Sequence, residues 1–194
     1  MTTDNQTLMK AARESLKDKW GLAIGTFLIY MLITSFPGST RSSLSIVSLI
    51  IGGPFALGAA SFSLSISRGK EARLEQIFQG FNHFTTALVA YLLVLLYVIL
   101  WALLLIVPGI IAGLGYSMTF YILSDDPLLK AEDALKKSKA MMLGYKLKLF
   151  YLILWFFLLA LLCILTLGIG FLWFIPFANV TMAKFYDDIK QNQV

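Results

Sequence analysis

Charge is scarce in this sequence. Only 14% of its 194 residues are Asp, Glu, Lys or Arg, against roughly 25% in a soluble domain. Hydrophobic residues make up 58%, against about 45–50%, and the mean hydropathy is +0.78. This balance excludes a soluble enzyme. It also excludes a disordered chain, which needs low hydrophobicity and high charge. The one cysteine, Cys163, cannot form an internal disulfide, and four-ligand zinc motifs are absent. The one histidine, His83, leaves little room for histidine-based catalysis. No glycine-rich stretch ends in Gly-Lys-Ser/Thr, so there is no phosphate-binding loop. Gly168-x-Gly170 is too short for a nucleotide fingerprint. The expectation is therefore an integral membrane protein that is not an enzyme, has no cofactor or metal, and binds no nucleic acid.

Long apolar runs are what the chain does have. They lie at Trp20–Phe36, Ile46–Ile66, Phe84–Val107, Pro108–Ser124, Leu147–Thr166 and Leu167–Met182, and none carries an acidic residue or an arginine. A spanning helix needs about 17–25 such residues. The third and fourth runs are divided only by Val107-Pro108-Gly109, and the fifth and sixth only by Thr166 to Gly170. Proline removes a helix donor and glycine supplies turn conformations. Both places are read as tight hairpins. The alternative is a single kinked helix at each, which leaves four spans.

Charge placement decides between these. Lysine and arginine collect in cytoplasmic loops. With six spans, all of the 16 basic residues except Arg41 fall on one side, together with all 11 acids. Four spans would put the lysines of the 130–148 segment outside. Six spans with both termini cytoplasmic is the better reading. The first run follows a long polar segment with no cleavage site, so it reads as an uncleaved signal-anchor.

The chain reads as one membrane domain, residues 1–194, built of three parallel units at about 7–67, 70–124 and 127–186. Each opens with an amphipathic segment expected at the cytoplasmic interface. The first, Thr7–Lys19, places Leu8, Ala12 and Leu16 on one helical face. The second, Lys70–Asn82, places Leu74, Ile77, Phe78 and Phe81 together. The third is expected to start with Asp126 as N-cap and Pro127 in the first turn. There Leu128, Ala131, Leu135 and Met142 keep helical spacing, and Glu132/Lys136 and Asp133/Lys137 can pair. Arg13, Lys17, Lys136, Lys137 and Lys139 are candidate contacts for anionic lipid headgroups. The plainer reading is linker helices packed on the bundle.

The second span of each unit carries hydroxyl and small residues. Ser61, Ser65, Tyr116, Thr119, Asn179 and Thr181 are the candidate lining of a cavity. Close helix packing is the other explanation. Gly21-x-x-x-Gly25 and Gly109-x-x-x-Gly113 match the helix-packing spacing. Trp101 and Trp155 read as packing residues, too deep for an interfacial belt. No carboxylate, Lys, Arg or His lies deep in a run, so the usual machinery of coupled transport is missing.

Several motifs resemble a bacterial membrane-protein family, the domain of unknown function nine-seventy-five. They include Ala12-Arg13-x-x-Leu16-Lys17-x-x-Trp20, Phe78-x-Gly80-Phe81, and Pro108-Gly109-Ile110 with Tyr116-Ser117-Met118. Ala134-Leu135-Lys136-Lys137-Ser138 with Gly144-Tyr145-Lys146, and Thr166-Leu167-Gly168-Ile169-Gly170 with Trp173 and Pro176, complete the set. Asp126 stands where the family usually has an amide, and Phe177 where it has a tyrosine. The resemblance implies a six-span protein of the bacterial plasma membrane and no established activity. The expected fold is thus an all-α bundle of three hairpins, each preceded by an amphipathic helix. The leading functional expectation is a scaffold, protective or organising factor. It would act through the lipid bilayer, other membrane proteins or a second copy of itself. The alternative is a small uncoupled carrier or channel for a lipid, amphiphile or small solute.

Overall fold

The computed structural model describes residues 3–35 and 43–192. Arg41, the one base expected on the opposite face, lies outside them. Among the described residues every regular element is helical. In order they are α1 (Asn5–Ser15), α2 (Trp20–Ser35), α3 (Ser43–Ser67), a 3₁₀ helix η1 (Leu74–His83), α4 (Phe84–Leu104) and α5 (Ile106–Tyr116). Then come α6 (Thr119–Asp125), α7 (Ala131–Met141), α8 (Lys146–Leu165) and α9 (Phe171–Gln191).

Four helical stretches are long and apolar enough to cross a membrane: Leu49–Ser67, Leu74–Leu104, Ile106–Asp125 and Lys146–Leu165. The other two expected spans fall short for different reasons. Over its described residues α2 has 16, which at about 1.5 Å each reach about 24 Å. α9 is longer, but its second half carries Lys184, Asp187, Asp188 and Lys190.

Both proposed breaks are hairpins. The first turns on Leu105, three residues before Pro108, with extended φ and ψ of −162° and 146°. Its N–H donates to the Trp101 carbonyl at 3.1 Å, and its own carbonyl accepts the Gly109 N–H at 3.3 Å. α4 and α5 then run back to back, so that a Cβ on Gly109 would stand 2.8 Å from the Ala102 Cα. At the second turn Leu167 and Gly168 take φ of 54° and 86°. The Thr166 hydroxyl accepts the Gly170 N–H at 3.0 Å and donates to the Cys163 carbonyl at 2.8 Å. Cys163 is a packing residue, with its Sγ facing Gly170. These turns satisfy much of their backbone internally, as an apolar surrounding demands. Leu103, Ile106, Leu165 and Leu167 stand exposed at the tips.

The packed core sits at the opposite end. Phe62, Ile66, Met118, Ile122, Met142, Leu149, Phe185 and Tyr186 are all buried there. α1 docks on this end, capped by Asp4, whose carboxylate accepts the Gln6 N–H at 3.1 Å. Its expected stripe of Leu8, Ala12 and Leu16 is buried. The second segment departs from expectation because it is a 3₁₀ helix. At three residues per turn, Leu74, Ile77 and Gly80 share an edge, and Ile77 and Gly80 are buried. Phe78 and Phe81 fall on another edge, partly exposed, with their rings against Phe55 at 5.9 and 5.2 Å. The third segment begins later than expected. Asp126 ends α6, Pro127 and Leu128 lie in a turn, and Lys130 is the residue before α7. Leu128 is 91% exposed, whereas Ala131, Leu135 and Met142 are buried. On α7 the ion pair formed is Asp133–Lys136 at 3.7 Å, a spacing of three rather than four.

Trp101 and Trp155 are nearly half exposed rather than packed. Both lie on α4 and α8, helices that show most of their surface outward. Of the two glycine pairs, Gly109 packs within the chain, while Gly21 and Gly25 meet no neighbouring atoms.

η1 and α3 approach backbone to backbone. A Cβ on Gly80 would fall on the Pro54 carbonyl, and one on Gly58 on the Ile77 carbonyl. Neither carbonyl is the end of a flexible side chain, so Gly80→Ala must push η1 off α3. The expected cost is about 2 kcal/mol, read as a lowered thermal midpoint of the detergent-purified protein. Gly21→Ala, at an open position, is expected to leave it unchanged.

Candidate functional site

The backbone breaks between α5 and α6 at Ser117–Met118, and three hydroxyls repair the break. Ser117 donates to the Leu114 carbonyl at 2.8 Å, Ser138 to Gly115 at 2.8 Å, and Thr119 to Tyr116 at 2.7 Å. Ser138 also accepts the Met118 N–H at 3.2 Å. A buried carbonyl or N–H without a partner is costly, so the buried Ser138 ties α7 to this break.

The six candidate lining residues do not share one cavity. Ser61 lines a small crevice with Gln79, Asn82, His83 and Ser124. Ser65 donates to the Ser61 carbonyl, Asn179 to Ile175 and Thr181 to Phe177, each one turn back on its own helix. Thr119 is spent on the break. Tyr116 faces a groove between α4 and α5. Its ring stacks on Tyr97 at 5.7 Å. It shares a groove of about 280 Å³ with Trp101, Pro108, Ile111, Ala112, Lys139 and Lys146. All five candidate headgroup contacts are exposed. Arg13 and Lys17 lie at α1, and Lys136, Lys137 and Lys139 lie on α7. Among the described residues no three His, Cys, Asp or Glu side chains converge as a metal-ligand set.

The strongest polar cluster lies elsewhere, where the ends of α3, α6 and α9 meet. Arg68, just past α3, forks onto Asp125 with Nη1–Oδ1 at 2.6 Å and Nη2–Oδ2 at 3.0 Å. It also grips Asp187 through Nη2 at 2.6 Å and Nε at 3.2 Å. Asp125 further accepts from Lys190 at 2.5 Å and from the Tyr186 hydroxyl at 3.0 Å. Lys184 donates to the Ser67 carbonyl at the end of α3. A bidentate arginine fork is the geometry that best matches carboxylates. Its bonds to Asp125 and Asp187 hold Arg68 above the ordinary guanidinium range. A second pair, Lys148–Asp188 at 2.6 Å, ties α8 to α9. Thr3 donates to the same carboxylate from its N–H at 3.0 Å and its hydroxyl at 2.6 Å. Burial disfavours ionised Asp188, but the bonds from Lys148 and Thr3 outweigh it and keep its carboxyl below the usual range.

Sequence reasoning missed this cluster. The available signal was that each second apolar run is followed by charges of complementary sign, first Arg68, then Asp125, then Asp187.

The chain belongs to the family described as Protein of unknown function (DUF975), which matches residues 1–113 and 103–193. No curated relative and no solved structure matches it.

Removing Arg68 strands two carboxylates in a partly buried site. Arg68→Gln is expected to cost about 3 kcal/mol and Lys136→Gln, at an exposed pair, under about 1 kcal/mol, both by denaturant unfolding in detergent. Asp188 has a depressed folded-state pKa. Its stabilising contribution is therefore present above its unfolded value of about 3.9 and is lost as pH falls through the folded value. The thermal midpoint should drop below about pH 4, and Asp188→Asn should flatten that acid limb.

Proposed function

We propose that this chain is a six-span protein of the bacterial plasma membrane with both termini cytoplasmic. It acts without catalysis, as a scaffold or organising factor, through contacts with lipid and other membrane helices. The observation that carries this reading is the use made of the polar groups. The Ser65, Thr119 and Thr181 hydroxyls and the Asn179 amide return to backbone carbonyls, and the paired charges bind helix ends to one another. What faces outward is apolar surface along α4 and α8, the kind of patch that meets lipid or a partner. The carrier reading needs its six lining residues on one path, and their separate placement weighs against it.

Two measurements test this. In a Cys163→Ser background, single cysteines at Lys17, Glu71 and Lys137 should be labelled from the cytoplasmic side only, and one at Arg41 from the outside only. Labelling of the position-137 cysteine from outside would return the chain to four spans. Purified protein in liposomes should pass ions and small solutes no faster than empty vesicles. Protein-dependent flux would overturn the scaffold reading in favour of the carrier.

A further inference from the structure

The groove beside Tyr116 combines two properties. Its wall is apolar along α4 and α5, where Trp101, Pro108, Ile111 and Ala112 line it, and it ends at two lysines, Lys139 from α7 and Lys146 from α8. Trp101 and Ile111 are each 46% exposed, so the apolar part opens sideways on the surface of the transmembrane hairpin. The Lys146 side chain lies against α5 at Gly115, where a Cβ would stand in ordinary van der Waals contact, 3.7 Å from Cε and 3.9 Å from Nζ. Ser138 fixes α7 against the same point through the Gly115 carbonyl, which holds Lys139 beside Lys146. Among the described residues neither ammonium has a carboxylate in ion-pair contact. This contrasts with Lys148 and Lys190, both paired.

A second crevice of about 430 Å³ joins the groove through the shared Trp101, Tyr116 and Lys139. It is the more polar half, adding Glu132 and Lys136 to the rim. Around the junction three lysines face one carboxylate, so the local charge is positive. Lys136 is the one of the three with an acidic neighbour, Asp133, at 3.7 Å.

We propose that this is a binding site for one anionic phospholipid. Its phosphate sits between Lys139 and Lys146, its polar headgroup in the Glu132–Lys136 crevice, and an acyl chain lies along Trp101, Ile111 and Ala112. An apolar trough continuous with the membrane, closed by unpaired cations, is complementary to a molecule with one hydrocarbon end and one phosphate. A free phosphate would leave the trough empty, and a neutral amphiphile would leave the lysines unanswered. Tyr116 lines both crevices. The site rests on the reading of the chain as a membrane protein and gives its lipid contacts an address.

Native mass spectrometry of the full chain in detergent, with phosphatidylglycerol and phosphatidylcholine of matched acyl chains, tests the proposal. The wild type should retain phosphatidylglycerol in preference to phosphatidylcholine. K139Q/K146Q should weaken phosphatidylglycerol binding about tenfold or more and leave phosphatidylcholine unchanged. A112F, which fills the trough and spares the lysines, should weaken both lipids. K10Q/K70Q removes two exposed lysines elsewhere and should change neither. Circular dichroism and a monodisperse elution profile establish that each variant is folded. Unchanged selectivity in K139Q/K146Q, or an equal loss in K10Q/K70Q, would overturn the site in favour of general surface charge. Glycerol phosphate displacing the lipid from the wild type, with A112F binding as well as the wild type, would overturn the acyl-chain part. Any of these failures leaves the flux result, and with it the scaffold reading, standing. Flux with lipid selectivity intact would overturn the scaffold reading alone.

Discussion

Three helices end at one place, and their meeting point constrains the rest. The C-terminal ends of α3, α6 and α9 each bring the negative end of a helix dipole, and two of them also bring a carboxylate, Asp125 or Asp187. Left alone, these groups would repel. Arg68, Lys184 and Lys190 answer them, and Arg68 does most of it because its planar fork reaches both carboxylates at once. Arg68, Lys184 and Lys190 against two carboxylates leave the node one charge positive beside three negative dipole ends, and several charge-assisted bonds offset the desolvation cost of partial burial. The aromatic packing of Tyr186 on Tyr121, with rings 5.7 Å apart, stands directly beside it. α1 and α8 are then fastened to α9 by the Asp188 bonds.

This arrangement divides the molecule into a cross-linked end and an apolar end. At the apolar end the described residues bring no charges to pair, so close approach and backbone satisfaction carry the structure there. In a bilayer, as proposed for this chain, lipid would compete with side chains for apolar contact, which would make a tight backbone fit worth more there than area alone. The glycine approach of α5 on α4 follows from this, as do the two hairpin turns that spend their own N–H and C=O groups internally. The hydroxyls read from the sequence as possible cavity lining belong to the same economy, because they cover carbonyls that an apolar surrounding would leave bare.

What could be read in the chain beforehand was local. The α1 stripe of Leu8, Ala12 and Leu16 was legible because a regular α-helix repeats every 3.6 residues. The segment 74–83 was read with the same period and lost half its stripe, since a 3₁₀ helix repeats every three. The positions of both hairpins were legible from Pro108 and from Gly168 and Gly170. Asp126-Pro127 looked like a helix start, yet it serves to end α6, because the chain must turn before α7 can reach the Ser117–Met118 break. Trp101 and Trp155 looked buried by their depth in a run, but depth along a helix says nothing about which way a side chain faces.

The sequence by itself determined the apolar lengths, the break points and the confinement of nearly all charge to segments between the apolar runs. These are properties of composition and short-range period. Only the tertiary structure decided which charges find each other, and which remain free. Arg68 meets partners 57 and 119 residues away, and Lys139 and Lys146, from different helices, line one groove. No local pattern encodes such distances. They depend on how helices with interchangeable apolar faces settle against one another, and that is settled by a few close backbone contacts and one arginine.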